Sequence, residues 1–233
     1  MEKQNLVLVP GLLCDAVMWE HQRRYLSEVA EIKIADVTRF ETMVGMAEAV
    51  LAMAPERFAL AGLSMGGYVS LEIMRRASNR VTKLALLDTS ARPDTEEQSR
   101  RRQHFIQLTK EGRFNEMIAT LLALLVHPDR MQDERLCNDI KEMNRRVGPE
   151  VFMRQQAAII GRQDSRNDLS KMRCPTLILC GRQDALTPLE VHEEMSSRMP
   201  KARLAVIEDC GHMSTMERPQ AVTALLRDWL LYW

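Results

Sequence analysis

Three residues in this chain of 233 have the clearest chemical potential: Ser64, Asp184 and His212, in that order. A serine hydroxyl is a poor nucleophile until a base takes its proton, so a reactive serine requires a histidine beside it. The imidazole in turn needs a carboxylate to fix its tautomer and stabilise the imidazolium. Ser64 stands in Gly62-Leu63-Ser64-Met65-Gly66, after the apolar run Phe58–Leu63 and before helical spacing of Tyr68, Val69, Leu71, Ile73 and Met74. A strand that turns sharply into a helix leaves the turn residue strained and exposed at its tip. Small residues two places away on each side let the two backbones pass closely. The stretch reads as a nucleophile elbow with Ser64 at its apex. The five-residue pattern alone recurs by chance in roughly one chain in ten of this length. The strand before it, the helix after it and the downstream partners make it specific.

Five histidines are candidates for the base. His21 falls in the first helical stretch, His104 and His127 in a long helical region, and His192 in a helix beginning near Pro188. Only His212 follows a strand directly, in Glu208-Asp209-Cys210-Gly211-His212-Met213. Loops at the C-terminal ends of parallel strands open on one edge of the sheet, so His212 can face Ser64. Asp184, in Gly181-Arg182-Gln183-Asp184, follows another strand onto that edge and is the preferred acid. Asp88, ending the strand after the elbow, is its rival. Asp209, a third option, is too close to the base in sequence to reach round the ring. Outside that role, Asp184 would cap the helix near Pro188. An acyl-transfer site also needs amide donors for the developing oxyanion. The Met65 amide, at the start of a helix, is one. The Leu12 amide, after the first strand, is the second, with Gly11 letting the chain turn back over the site. Leu13, Trp19 and Met213 are expected to contact substrate, although Trp19 has an alternative place packing the first helix. Cys14 is either a mouth residue or a packed thiol. The many methionines, 16 in all, include Met18, Met65 and Met213 near these positions and suit an adaptable apolar pocket.

The elements that must position these groups alternate. Leu6 to Val9, Ile32 to Val37, Phe58 to Leu63, Val81 to Asp88, Pro175 to Gly181 and Leu204 to Ile207 read as strands, several as continuous apolar runs buried on both faces. Helical patterns lie between them: Trp19 to Val29, Thr42 to Met53 with Thr42 as cap, and Arg218 to Leu231. The fold class is therefore α/β: a mostly parallel sheet of about six strands with helices on both faces. From Pro93 to Asp168 no strand is apparent, only helical patterns broken at Gly112, Pro128 and Gly148-Pro149. The expected organisation is a core of residues 1–92 and 169–233 interrupted by a helical cap over 93–168.

Bulk properties exclude several function classes. Lysine plus arginine and aspartate plus glutamate stand at 32 each, giving no net field for nucleic acid or an anionic membrane. Arg100-Arg101-Arg102 reads as a solvated helix face. Five cysteines, odd in number and without a Cys-x-x-Cys pair, imply neither a disulfide framework nor zinc, and point to the cytoplasm. Met1-Glu2-Lys3-Gln4-Asn5 runs into a strand without a signal-peptide apolar region, and no run reaches the ~18 apolar residues of a membrane span. No dinucleotide fingerprint, phosphate loop or metal-spaced histidine pair occurs, so neither cofactor nor metal is expected. The expected partner is a small-molecule substrate. Oligomeric state is not legible.

Taken together, the elbow around Ser64, Gly181-Arg182-Gln183-Asp184 after a strand, and Gly211-His212 before the final helix resemble the α/β-hydrolase family over nearly the whole chain. That family also carries its cap where the helical region follows the strand ending at Asp88. Two features depart from the pattern: Pro10-Gly11 stands where many relatives have His-Gly, and no counterpart of the family's usual two leading strands is expected before Leu6. The resemblance implies a serine hydrolase acting through an acyl-enzyme, here on a small, mainly apolar ester or lactone. It equally covers thioesterases, carbon–carbon bond hydrolases and acyltransferases. A thioesterase would place basic residues at the mouth, for which Arg92 and Arg100 to Arg102 are candidates. The rival from another class is a ligand-binding protein retaining the three residues with vestigial hydrolysis.

Overall fold

The computed structural model describes residues 3–233; Met1 and Glu2, the start of the N-terminal stretch expected to lack a signal peptide, lie outside them. Along the chain the elements are β1 (Gln4–Val9), α1 (Glu20–Leu26), β2 (Ala30–Ile34), α2 (Met43–Met53), β3 (Phe58–Leu63), α3 (Met65–Ala77) and β4 (Val81–Leu87). There follow α4 (Glu96–Lys110), α5 (Phe114–Leu125), α6 (Glu134–Val147), α7 (Pro149–Ile160), β5 (Thr176–Gly181), α8 (Leu189–Arg198), β6 (Ala202–Ile207), α9 (Ser214–Glu217) and α10 (Pro219–Tyr232). The six strands form one sheet in the order β2-β1-β3-β4-β5-β6, every pair parallel.

Strand composition follows position. The inner strands β3 (FALAGL) and β5 (TLILCG) are buried at every residue, whereas the edge strands β2 and β6 alternate or are only half-covered. Successive side chains of a strand point to opposite faces. Leu6 and Leu8 accordingly join the core under α1 and α10, with Trp19, Leu26, Leu226 and Trp229. Val7 and Val9 join the opposite core, with Met46, Val50, Val69 and Ile73 from α2 and α3. The sheet is thus covered on both faces.

Strand order reverses between β1 and β3: the chain moves out to β2, then returns across β1. Such a switch point opens a crevice at the carboxyl ends of the strands. The loop after β1 and the turn after β3 flank it. Between β4 and β5 the described residues contain only helices and turns. Thr95 and Gln98 form a reciprocal capping box that starts α4. Gly148, at φ 89°, breaks α6 from α7.

Candidate active site

Ser64 lies between β3 and α3 with φ 55° and ψ −116°, a conformation that residues other than glycine seldom adopt. The turn is held from three sides. The Ser64 amide donates to Leu87 O at 2.9 Å, while Ser64 O accepts from the Gly67 amide and from Thr89 Oγ1, each at 2.8 Å. The flanking glycines are sterically required: a Cβ on Gly62 would stand 2.2 Å from Gly66 O, and one on Gly66 would stand 2.1 Å from Val9 O.

Ser64 Oγ is 2.8 Å from His212 Nε2, and His212 Nδ1 is 2.7 Å from Asp184 Oδ2. Asp184 Oδ1 accepts the Leu186 and Thr187 amides at 2.8 and 2.9 Å, and Oδ2 also accepts from Thr187 Oγ1 at 2.7 Å. Burial alone would raise this carboxyl, but the His212 ring and these donors hold it below the usual aspartate value. Burial would likewise lower His212; the Asp184 carboxylate and its hydrogen bond outweigh this and hold the imidazole above its usual value.

Asp88 is differently employed. Its Oδ1 accepts the Gly181 amide at 3.0 Å and its Oδ2 accepts from Ser214 Oγ, so it ties the ends of β4 and β5 to α9. Burial and the nearby Asp184 charge push its carboxyl well above the usual range. Two carboxyl groups beside one imidazole are thus driven apart, Asp184 ionised and Asp88 toward neutrality. The other histidines lie elsewhere. His192 Nε2 accepts the Thr89 amide at 3.0 Å, and burial pushes that ring down to about 4.

The His212 loop has a support that sequence reasoning missed. Glu217 is buried, its Oε1 accepting the Gly211 and Met213 amides at 3.0 and 3.2 Å and its Oε2 accepting the His127 amide at 2.9 Å. Leu125 O, at the end of α5, accepts the His212 amide at 2.9 Å. The only sequence signal was an acid five residues past the histidine, with nothing to say that it points inward.

Ser64 and His212 open into a cavity of about 60 Å³. Leu12, Leu63, Phe105, Leu121, Leu125 and Met213 supply most of its apolar wall. Leu12 N–H makes no hydrogen bond to protein among the described residues, and the Met65 amide, first in α3, has no partner within its helix. Two expected wall residues lie elsewhere. Trp19 is wholly buried in the core under α1, where packing a large ring outweighs display at a mouth. Leu13 is buried behind the wall: its amide donates to Gln155 Oε1 at 2.9 Å and its carbonyl accepts from Asn144 Nδ2 at 3.0 Å. Leu13 also makes the turn expected of Gly11. Its φ is 57°, whereas Gly11 has a negative φ and room for a Cβ at ordinary contact, 3.4 Å from Leu63 O. Cys14 lines the cavity and is buried, its thiol pushed up by that burial.

The arginine run is not one solvated face. Arg100 projects outward and pairs with Glu96 at 2.9 Å, whereas Arg101 and Arg102 line the cavity with Gln98 and Phe105. Positions 98, 101, 102 and 105 form one face of α4. Arg92 pairs with Glu194 at 2.6 Å.

A family model described as the alpha/beta hydrolase family matches residues 6–225. Among curated proteins, the chain is 26% identical to the pimeloyl-[acyl-carrier protein] methyl ester esterase of Aromatoleum aromaticum, over 98% of either chain. Among solved structures, a thermophilic esterase from Thermogutta terrifontis, determined with malate bound, superposes with a TM-score of 0.88 at 28% identity, over 97% of this chain and 89% of that one. An enol-lactonase from Burkholderia xenovorans LB400 superposes with a TM-score of 0.89 at 22% identity, over 99% and 92%, a likeness of fold.

Proposed function

Because the chain belongs to the alpha/beta hydrolase family, we propose that it is a serine hydrolase that cleaves a small carboxylic ester or lactone through an acyl-enzyme. The observation that carries this reading is the continuous relay from Ser64 Oγ through His212 to Asp184, at 2.8 and 2.7 Å, opening into an apolar cavity. In this reading Ser64 Oγ attacks the ester carbonyl carbon while His212 Nε2 takes its proton. Charge developing on the carbonyl oxygen is met by the Leu12 and Met65 amides. The tetrahedral intermediate collapses as His212 returns the proton to the leaving alkoxide, and the alcohol departs. Water then attacks the acyl-serine with the same base, releasing the acid and restoring Ser64. Asp184 keeps the proton on Nδ1 throughout and stabilises the imidazolium.

The curated relative, a carboxylic ester hydrolase by name, supports an ester over a carbon–carbon bond, and the apolar wall supports a mainly hydrocarbon acyl chain. We assign residues 93–168 the role of a cap, because α4, α5 and α7 supply Gln98, Phe105, Leu121, Leu125 and Ile159 to the cavity. No helix among the described residues is long and apolar enough to cross a membrane. The five free thiols fit a cytoplasmic setting. A panel of short-chain esters and lactones, with Ser64→Ala as blank, tests the reading. Turnover by the wild type that vanishes in the blank supports it, and equal rates in the two overturn it.

Two further outcomes separate the acids. Asp184→Asn is expected to lower kcat about 10⁴-fold, through the wrong imidazole tautomer. Asp88→Asn keeps one acceptor oxygen for the Gly181 amide and can offer its amide N–H to Ser214 Oγ, and is expected to lose less than about tenfold. The reverse order in steady-state kinetics would transfer the acid role to Asp88.

The base must be neutral to accept a proton, so activity falls as pH drops through the pKa of His212. That value is held above 6.5. The acid limb of kcat/KM in the wild type is therefore expected to have its midpoint above 6.5, the usual imidazole value. In residual Asp184→Asn activity the limb should move downward, because the largest opposition to burial is then removed. A wild-type midpoint below the usual value would contradict the pairing.

A further inference from the structure

Arg101 is half-buried in the wall of the cavity that holds Ser64. No carboxylate among the described residues lies within ion-pair distance of it, and its guanidinium makes no hydrogen bond to them. The neighbours in its own run contrast with it. Arg100 is exposed and pairs with Glu96. Arg102 is fixed by Asp94 at 2.6 Å and by Gln156 Oε1 at 3.0 Å. The same Asp94 also serves the buried Arg162 at 2.7 Å, so one carboxylate is shared by two cations. The cavity wall itself contains no aspartate or glutamate. Its remaining surface is mainly leucine, phenylalanine, isoleucine and methionine. A cation drawn partly out of water beside apolar walls is costly unless something pairs with it, and field lines between such walls concentrate on any anion that enters. Guanidinium presents a planar fork that fits the two oxygens of a carboxylate or phosphate.

Resting on the hydrolase reading, we infer that Arg101 receives a compact anionic group of the substrate, so that the preferred ester or lactone carries a carboxylate or phosphate in addition to the bond that is cleaved. Ser64 and Arg101 then fix the substrate at two points, one at the reacting carbonyl and one at the anion. Arg101 is a specificity-determining residue, and the apolar wall between selects the length of the connecting chain.

The test compares kcat/KM of wild type, Arg101→Gln and Arg101→Lys on matched esters. The probes are p-nitrophenyl hemiesters of succinate, glutarate and adipate, the neutral p-nitrophenyl esters of equal chain length, and a p-nitrophenyl ester whose acyl chain ends in a phosphate. The wild type is expected to favour the best anionic ester over its neutral partner by about ten- to a hundredfold, the range for a hydrogen-bonded charge pair. The preference should shrink with added salt. It should fall close to one in Arg101→Gln and recover in part in Arg101→Lys. The carboxylate and phosphate arms identify which anion is taken. Turnover of neutral esters with no anionic preference overturns the inference and leaves the hydrolase reading standing. A preference undiminished in Arg101→Gln overturns the assignment to Arg101. No turnover of any probe, with no fluorophosphonate adduct on Ser64, overturns both.

Discussion

Ser64→Ala is expected to abolish labelling by a small fluorophosphonate and to lower kcat on any ester substrate by about 10⁴- to 10⁶-fold. The hydroxyl is the only atom lost, and the remaining cavity, with its amide donors, accounts for the residual rate. His212→Ala should approach the same floor, because Ser64 Oγ at 2.8 Å from Nε2 would then have no base within reach. The double variant should be no slower than the worse single one, since the two groups act as a unit and their losses do not add. Intact mass after labelling gives the first readout: one adduct on the wild type, none on Ser64→Ala, and a greatly slowed one on His212→Ala. An adduct formed equally fast on Ser64→Ala would remove Ser64 from the mechanism. Folded wild type that takes no adduct would favour a ligand-binding role in place of turnover.

The second large effect is on stability. Gly66→Ala should destabilise the fold by about 4 kcal/mol or more, in the range that only severe core or backbone conflicts reach. The added carbon would lie 2.1 Å from Val9 O, 2.8 Å from Val9 C and 2.9 Å from Pro10 O. All three are backbone atoms, so no side-chain rotation relieves the conflict; either β1 or α3 must move, and the loop carrying Leu12 moves with it. Gly62→Ala meets the same barrier from the other side, 2.2 Å from Gly66 O. In a domain with a net stability of roughly 5–15 kcal/mol such a loss shows as insoluble expression or a melting temperature lower by about 10 °C or more. Gly161→Ala is the control: its added carbon meets nothing closer than 3.5 Å, and it should melt near the wild type. Equal melting of Gly66→Ala and wild type would mean that the elbow is looser than its geometry requires.

The strand–helix alternation was legible because the inner strands are short runs apolar at nearly every position, although Leu121 to Leu125 in α5 is as apolar. The elbow was legible because its glycines, its strand and its helix are contiguous. Ser64, His212 and Asp184 were named from their places after strands, and those places share one edge of the sheet. What sequence could not reveal depends on contacts between distant segments. Glu217 bonds to the amide of His127, 90 positions away, and nothing local distinguishes it from a solvated helix acid. Trp19 read equally well as mouth or core, and only the packing of α10 against α1 decides for core. The turn at Leu13 was assigned to Gly11 on residue type, whereas here the positive φ is imposed by what grips the peptide. Arg100, Arg101 and Arg102 read as one charge run because composition does not show which way each helix position faces.

The grip on Leu13 bears on how such a protein could be re-engineered. Helices α6 and α7 supply Asn144 and Gln155 to the two sides of one left-handed peptide beside the Leu12 amide, while α5 supplies Leu125 O to the amide of His212. The inserted helices are therefore not a detachable module resting on a self-sufficient core. A graft that exchanges residues 93–168 for another family member's helices, in order to import its substrate range, would also exchange the fasteners of the loops that carry Leu12 and His212. Chimaeras that retain Asn144, Gln155 and the last turn of α5 keep those fasteners, and the freedom to diversify is confined to cavity-facing positions such as 98, 101, 105, 121 and 159.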